Sequence, residues 1–186
     1  MKTVLIKELM VPLNEYATVS ENATLADAIL ALDQAQETFC QNKYRHRAIL
    51  VLDKNQQPMG KISQIDALRA LEPKYKEIQN QDTRGAFRHF SRMFLSSMLE
   101  HHRLFDGSLE DLRKKAANIY VRDFMHTLSA DECVSEDATL DEAIHLLIMG
   151  HQQSLLVKRD EKIVGILRLT DVFSAVFQPL VSPARL

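Results

Sequence analysis

Residues 6–32 read IKELMVPLNEYATVSENATLADAILAL, and residues 121–147 read VRDFMHTLSADECVSEDATLDEAIHLL. Aligned without a gap at an offset of 115, the two stretches are identical at 11 of 27 positions. Met10/Met125, Val19/Val134, Leu25/Leu140 and Ala28/Ala143 are among the identities, while Lys7/Arg122 and Asp27/Glu142 keep their chemistry. Such self-similarity marks one supersecondary unit used twice, and a unit this small buries little core alone.

A second pair of segments continues each unit. HRAILVLDKNQQPMGKISQIDALRAL (46–71) corresponds to QQSLLVKRDEKIVGILRLTDVFSAVF (152–177), with Gly60 opposite Gly165 and Asp66 opposite Asp171 at an offset of 105. The smaller offset places about ten extra residues in the first copy, between Asp33 and Arg45.

The local patterning is the same in both copies. Thr139 and Glu142 form a capping-box pattern, Thr24 and Asp27 a weaker one. Leu140, Ala143, Ile144, Leu147 and Ile148 then follow the spacing of one buried helix face, as do Leu25, Ala28, Ile29 and Leu32. Two apolar runs around a polar turn, Ala48–Leu52 with Met59–Ser63 and Ser154–Val157 with Ile163–Leu167, predict a β-hairpin. A second helix starts near Ile65 or Leu169. With a short strand before the first helix (Tyr16–Val19, Glu132–Val134), each unit reads β-α-β-β-α, an α+β fold.

The V-S-E-[ND]-A-T-L approach to the first helix and the G-x-[IL]-x-x-x-D close of the hairpin resemble the CBS domain family. The resemblance covers residues 4–72 and 119–180 and implies two β-α-β-β-α repeats packed as a pseudo-symmetric pair. The organisation expected is a first repeat over 1–72, a helical insert over 73–118, and a second repeat with its tail over 119–186. In this family adenine nucleotides or related adenosyl compounds bind in clefts between paired repeats. The resemblance therefore implies a non-catalytic sensor with no required cofactor, taking AMP, ADP, ATP or S-adenosylmethionine as a regulatory ligand. It also implies a homodimer and an unidentified protein target.

The implied ligand residues follow position by position. Gly60-Lys61-Ile62-Ser63-Gln64-Ile65-Asp66 matches the family's G-x-x-[ST]-x-x-D motif, in which Asp66 takes ribose hydroxyls and Ser63 a ribose or phosphate oxygen. His46-Arg47, at the start of a strand, resembles the phosphate-contacting position, and arginine's planar fork suits it. Ala17 and Ile65 complete the expected set in the first repeat. Ser63 and Asp66 read equally well as a helix capping box, and Lys43, Arg45, His46 and Arg47 as a solvated basic loop. The second repeat keeps Gly165 and Asp171 but carries Arg168 where serine or threonine is expected. Arg168 either binds phosphate or pairs with Asp171 and fills the pocket. One competent cleft centred on Ser63 and Asp66 is expected, and a second that is altered.

Residues 73–118 fit neither repeat. Phe87, Phe90, Phe94 and Met98 fall at helical spacing, and Ser108 caps a run through Leu109, Leu112 and Ala116, which predicts an α-hairpin. Its apolar stripe is expected to pack on the repeats or on another subunit, and its row of Arg84, Arg88 and Arg92 to face solvent.

Composition sets the outer limits. The 186 residues are 46% hydrophobic and 26% charged with a net charge of −2, a globular balance that offers nothing to nucleic acid. Cys40 and Cys133 form no CxxC pair, and the histidines have no metal-ligand spacing, since adjacent His101 and His102 diverge on a helix. No nucleophile elbow, Walker loop or Rossmann glycine triplet appears, so no catalytic residue is expected. The opening segment is broken by Lys7 and Glu8, and no run approaches a membrane span, which points to a cytoplasmic chain with no membrane partner. The competing reading is a purely structural or dimerisation module with no bound ligand.

Overall fold

Neither repeat closes its own sheet. The computed structural model describes residues 3–38, 45–81 and 91–181; Cys40, Lys43, Arg84, Phe87, Arg88 and Phe90, singled out above, lie outside them. The first repeat contains β1 (Val11–Pro12), β2 (Thr18–Ser20), α1 (Leu25–Thr38), β3 (Ala48–Leu52), β4 (Pro58–Ser63) and α2 (Gln64–Leu71). The insert contributes α3 (Lys74–Gln81), α4 (Arg92–His101) and α5 (Leu109–Ala116). The second repeat follows as β5 (His126–Thr127), β6 (Cys133–Ser135), α6 (Leu140–Met149), β7 (Ser154–Arg159), β8 (Lys162–Arg168) and α7 (Leu169–Val181).

The strands form two four-stranded sheets, ordered β2-β3-β4-β5 and β1-β8-β7-β6. The first strand of each half thus joins the sheet of the other. Val11 pairs with Ile166 and Pro12 with Gly165, while His126 pairs with Lys61 and Thr127 with Gly60. The stretches Val11–Pro12 and His126–Thr127 are the exchanged strands.

Glycine is required where the exchanged strand crosses. A Cβ on Gly165 would lie 2.6 Å from the Val11 carbonyl oxygen and 2.9 Å from the Met10 sulfur. On Gly60 it would collide with the Met125 sulfur and lie 3.2 Å from the His126 carbonyl oxygen. At both positions the missing side chain makes room for a neighbouring strand.

The cores follow the same exchange. Ile6 is buried among Leu140, Ala143, Leu155 and Leu167 of the second repeat, and Val121 among Ala28, Ile49, Val51 and Ile62 of the first. Between the sheets, Val11, Tyr16, Leu50, Leu156 and Ile166 form a shared apolar cluster. Burial at about 25 cal/mol per Å² of apolar surface makes these clusters the principal source of cohesion between the halves.

The two helices expected in the insert are α4 and α5, and α3 precedes them. Ser91 caps α4 and Ser108 caps α5 with a full capping box. The helix α5 packs on α1 and α2. Of the apolar residues of α4, Met98 is half-buried, while Met93, Phe94, Leu95 and Leu99 keep exposed surface. Among the described residues no helix is long and apolar enough to cross a membrane.

Candidate functional site

The two hairpins end beside each other. β4 runs into α2 at Ser63–Gln64 and β8 into α7 at Arg168–Leu169, and both junctions border one cleft of about 560 Å³. From the first repeat it is lined by Tyr16, Arg45, Arg47, Lys61, Ser63, Gln64, Ile65 and Asp66. From the second come His126, Glu132, His151–Ser154 and Arg168–Thr170. The matching motifs of both repeats therefore share one cleft.

At the first junction Ser63 is the N-cap of α2. Its hydroxyl accepts from the Asp66 amide at 3.2 Å and donates to Asp66 Oδ2 at 2.6 Å, while its own amide donates to Oδ2 at 3.0 Å. The capping box read from the sequence is formed, and both side chains face the cleft while forming it. Asp66 Oδ1 lies 3.8 Å from Arg69 Nη1. Arg45 and Arg47 stand on the rim without an ion pair among the described residues.

The second junction differs at one residue. Arg168 Nε lies 2.6 Å from Asp171 Oδ2 and Nη2 lies 2.5 Å from Oδ1, a bidentate pair in which both carboxylate oxygens are engaged. The two side chains are only 6% and 16% exposed, so this is an interior pair. The pairing of Arg168 with Asp171 that the sequence allowed is present, and Arg168 also lines the cleft. Asp171 is thereby withdrawn from the cleft lining.

Behind the rim, His46 is buried, with its ring edge-on to Tyr16 at 4.4 Å between centroids and its Nδ1 3.4 Å from Arg168 Nη1. Burial, reinforced by the Arg168 cation, lowers the His46 pKa to about 4. Burial likewise raises the Tyr16 hydroxyl to about 12, although Arg168 and the Ala48 amide oppose the shift. A histidine protonated more readily when unfolded stabilises the fold fully above its ordinary pKa near 6.5 and progressively less as pH falls toward 4. Acidification from pH 7 to pH 5 should therefore cost on the order of 2 kcal/mol through this residue. Denaturant melts at the two pH values check this, together with an NMR titration in which the His46 ring stays neutral above pH 5. A ring that titrates near 6.5 contradicts it.

Three cleft residues escaped the sequence reading. Glu132 is buried, pairs with Lys61 Nζ, and lies 3.0 Å from His126 Nε2 and 3.2 Å from the Ser129 amide. Burial pushes its carboxyl up, but Lys61, Ser129 and His126 more than offset this and hold it below the usual range. The available signal was a mismatch between repeats: Lys61, His126 and Glu132 align with Ile166, Val11 and Ala17.

Of the expected residues, Arg47, Ser63, Ile65, Asp66 and Arg168 line the cleft. His46 and Asp171 lie behind it, engaged with Arg168. Ala17 is buried in the first repeat's core. Among the described residues no cluster of three or more metal-ligating side chains occurs.

Comparison with known proteins gives the same architecture. The model of the CBS domain family matches residues 6–73 and 121–178. No curated protein matches the chain. Among solved structures, a CBS domain-containing protein of unknown function from Bacillus anthracis superposes with a TM-score of 0.61 at 16% identity, over 95% of each chain. The CBS-pair protein CBSX2 from Arabidopsis thaliana gives a TM-score of 0.59 at 20% identity, over 96% of this chain and 97% of its own. CBSX2 in complex with AMP gives 0.57 at 21% identity, over 95% of this chain and 98% of its own.

Proposed function

This chain belongs to the CBS domain family, and from that premise we propose that it is a non-catalytic regulatory module whose cleft binds an adenine nucleotide or related adenosyl ligand. The observation that carries the reading is convergence. Two helix first turns, the cations Arg45, Arg47 and Lys61, and the Ser63–Asp66 pair all border one cleft. Helix N-termini and arginine forks favour phosphate, and a carboxylate with a neighbouring hydroxyl favours ribose. The cleft volume falls within the range typical of small-molecule sites. CBSX2, of the same fold, has been crystallised with AMP.

Occupancy would bridge both repeats and bias how they pack, which is how a ligand without chemistry regulates a partner. A second copy of this chain is the proposed first partner. Leu68 on α2 and Phe173 on α7, matched between the repeats, are both exposed, and Phe173 stacks on the exposed Phe177 at 4.3 Å. Such an apolar face suits a homodimer that passes the signal to a protein target.

A thermal-shift screen with AMP, ADP, ATP and S-adenosylmethionine tests the binding reading. At least one compound should raise the melting temperature, and Arg47→Met should weaken its binding about tenfold. Asp66→Asn, which retains an oxygen for the cap, should weaken it similarly. No shift with any of the four compounds would count against the reading.

A further inference from the structure

The pseudo-symmetry of the fold isolates one feature it does not require. His126 pairs with Lys61 in one sheet where Val11 pairs with Ile166 in the other, and Glu132 stands at the position equivalent to Ala17. One half of the molecule therefore completes this junction with the apolar pair Val11 and Ile166, its Ala17 being buried in the first repeat's core. The other places a lysine, a histidine and a glutamate there, with Lys61 and Glu132 side chains only 18% and 6% exposed. Burying an ion pair costs desolvation that apolar side chains avoid, and the apolar version serves the same backbone geometry in this very chain. Capping at Ser129 accounts for a carboxylate at Glu132 but not for the lysine set against it, and Lys61, His126 and Glu132 all line the cleft.

We infer that Glu132 is a built-in competitor for Lys61: the ammonium is a phosphate-binding group of the cleft, and Glu132 occupies it until an anion of higher charge takes its place. This rests on the reading of the cleft as an anion-accepting ligand site and adds a ranking to it. A compact, strongly charged phosphate chain displaces the carboxylate, whereas a ligand with little negative charge leaves the pair closed. Arg45 and Arg47 supply fixed positive charge on the rim, and Lys61 is the cation whose availability depends on its partner. Because Lys61 comes from β4 of one repeat and Glu132 precedes β6 of the other, exchanging the carboxylate for a ligand also releases a tie between the repeats.

Calorimetric titration with inorganic tripolyphosphate, which has no nucleoside, tests the competition apart from nucleotide recognition. Glu132→Gln should bind it roughly tenfold more tightly than the unaltered chain, and Lys61→Met roughly tenfold more weakly. The double variant Lys61→Ile with Glu132→Ala installs the residues that the other half carries at these two aligned positions, so it should fold and bind as weakly as Lys61→Met. Unchanged affinity in Glu132→Gln or in the folded double variant overturns the inference, as does no binding to either the unaltered chain or Glu132→Gln. AMP and ATP titrated alongside separate the two readings. Nucleotides that bind with no effect of either variant retain the ligand site and sink the competition. Tripolyphosphate responding as expected without nucleotide preference does the reverse.

Discussion

Arg168→Met should lower the stability of the chain by about 3 kcal/mol, seen as a drop in the denaturant midpoint at unchanged slope. The loss comes less from a missing attraction than from what remains. Asp171 is largely buried, and both its oxygens are engaged by the guanidinium. Without Arg168 it becomes an interior carboxylate lacking its counter-charge, which is the expensive half of breaking a buried pair. The variant also removes the cation 3.4 Å from the buried His46 ring. Replacing both partners, as in Arg168→Met with Asp171→Leu, should recover most of the loss because no charge is left stranded. A loss below about 1 kcal/mol in the single variant is the size expected of a surface pair and would contradict the interior geometry.

Gly165→Ala should cost about 2 kcal/mol, and Gly60→Ala less, although each adds only one methyl group. The difference lies in what the methyl meets. At Gly165 the nearest atom is a backbone oxygen of β1, fixed by pairing with β8, whereas at Gly60 it is the sulfur of the flexible Met125 side chain. Gly165→Ala must push the exchanged strand off its sheet, drawing Ile6 and Val11 away from cores of the second half and the interface. Equal losses at the two positions, measured by parallel denaturant melts, would show that strand exchange is not the constraint.

Much of the fold was legible because its signals are local. The runs that became β3, β4, β7 and β8 are apolar and bounded by polar turns, and their observed ends differ from the expected ones by two residues or fewer. Thr139–Glu142 and Ser63–Asp66 form the capping boxes their spacing implies. The exchange was not legible. Strands of two residues carry no alternation, and Val11-Pro12 or His126-Thr127 reads as loop until a partner sheet is present. Nor does periodicity distinguish an apolar stripe packed on the repeats from one turned to another subunit, the two placements open to α4, whose Met93, Leu95 and Leu99 are exposed in this chain.

The site was half visible for a related reason. Motif matching picked out Arg47, Ser63 and Asp66, which line the cleft, and left two roles open for Arg168, whose pairing with Asp171 the fold displays. It passed over Lys61, His126 and Glu132 because a repeat draws attention to what its copies share. These three residues lie where the copies diverge, and the divergence makes the cleft asymmetric. One motif faces the cleft with its serine and aspartate, while in the other Arg168 is paired with Asp171.

That asymmetry makes the stoichiometry of ligand binding the most direct test. Isothermal titration of AMP and ATP into the purified chain should give saturable binding of one nucleotide per chain, lost or weakened about tenfold by Arg47→Met. Two equivalent nucleotides per chain, or binding indifferent to Arg47, would contradict a single shared cleft built on the first repeat's motif.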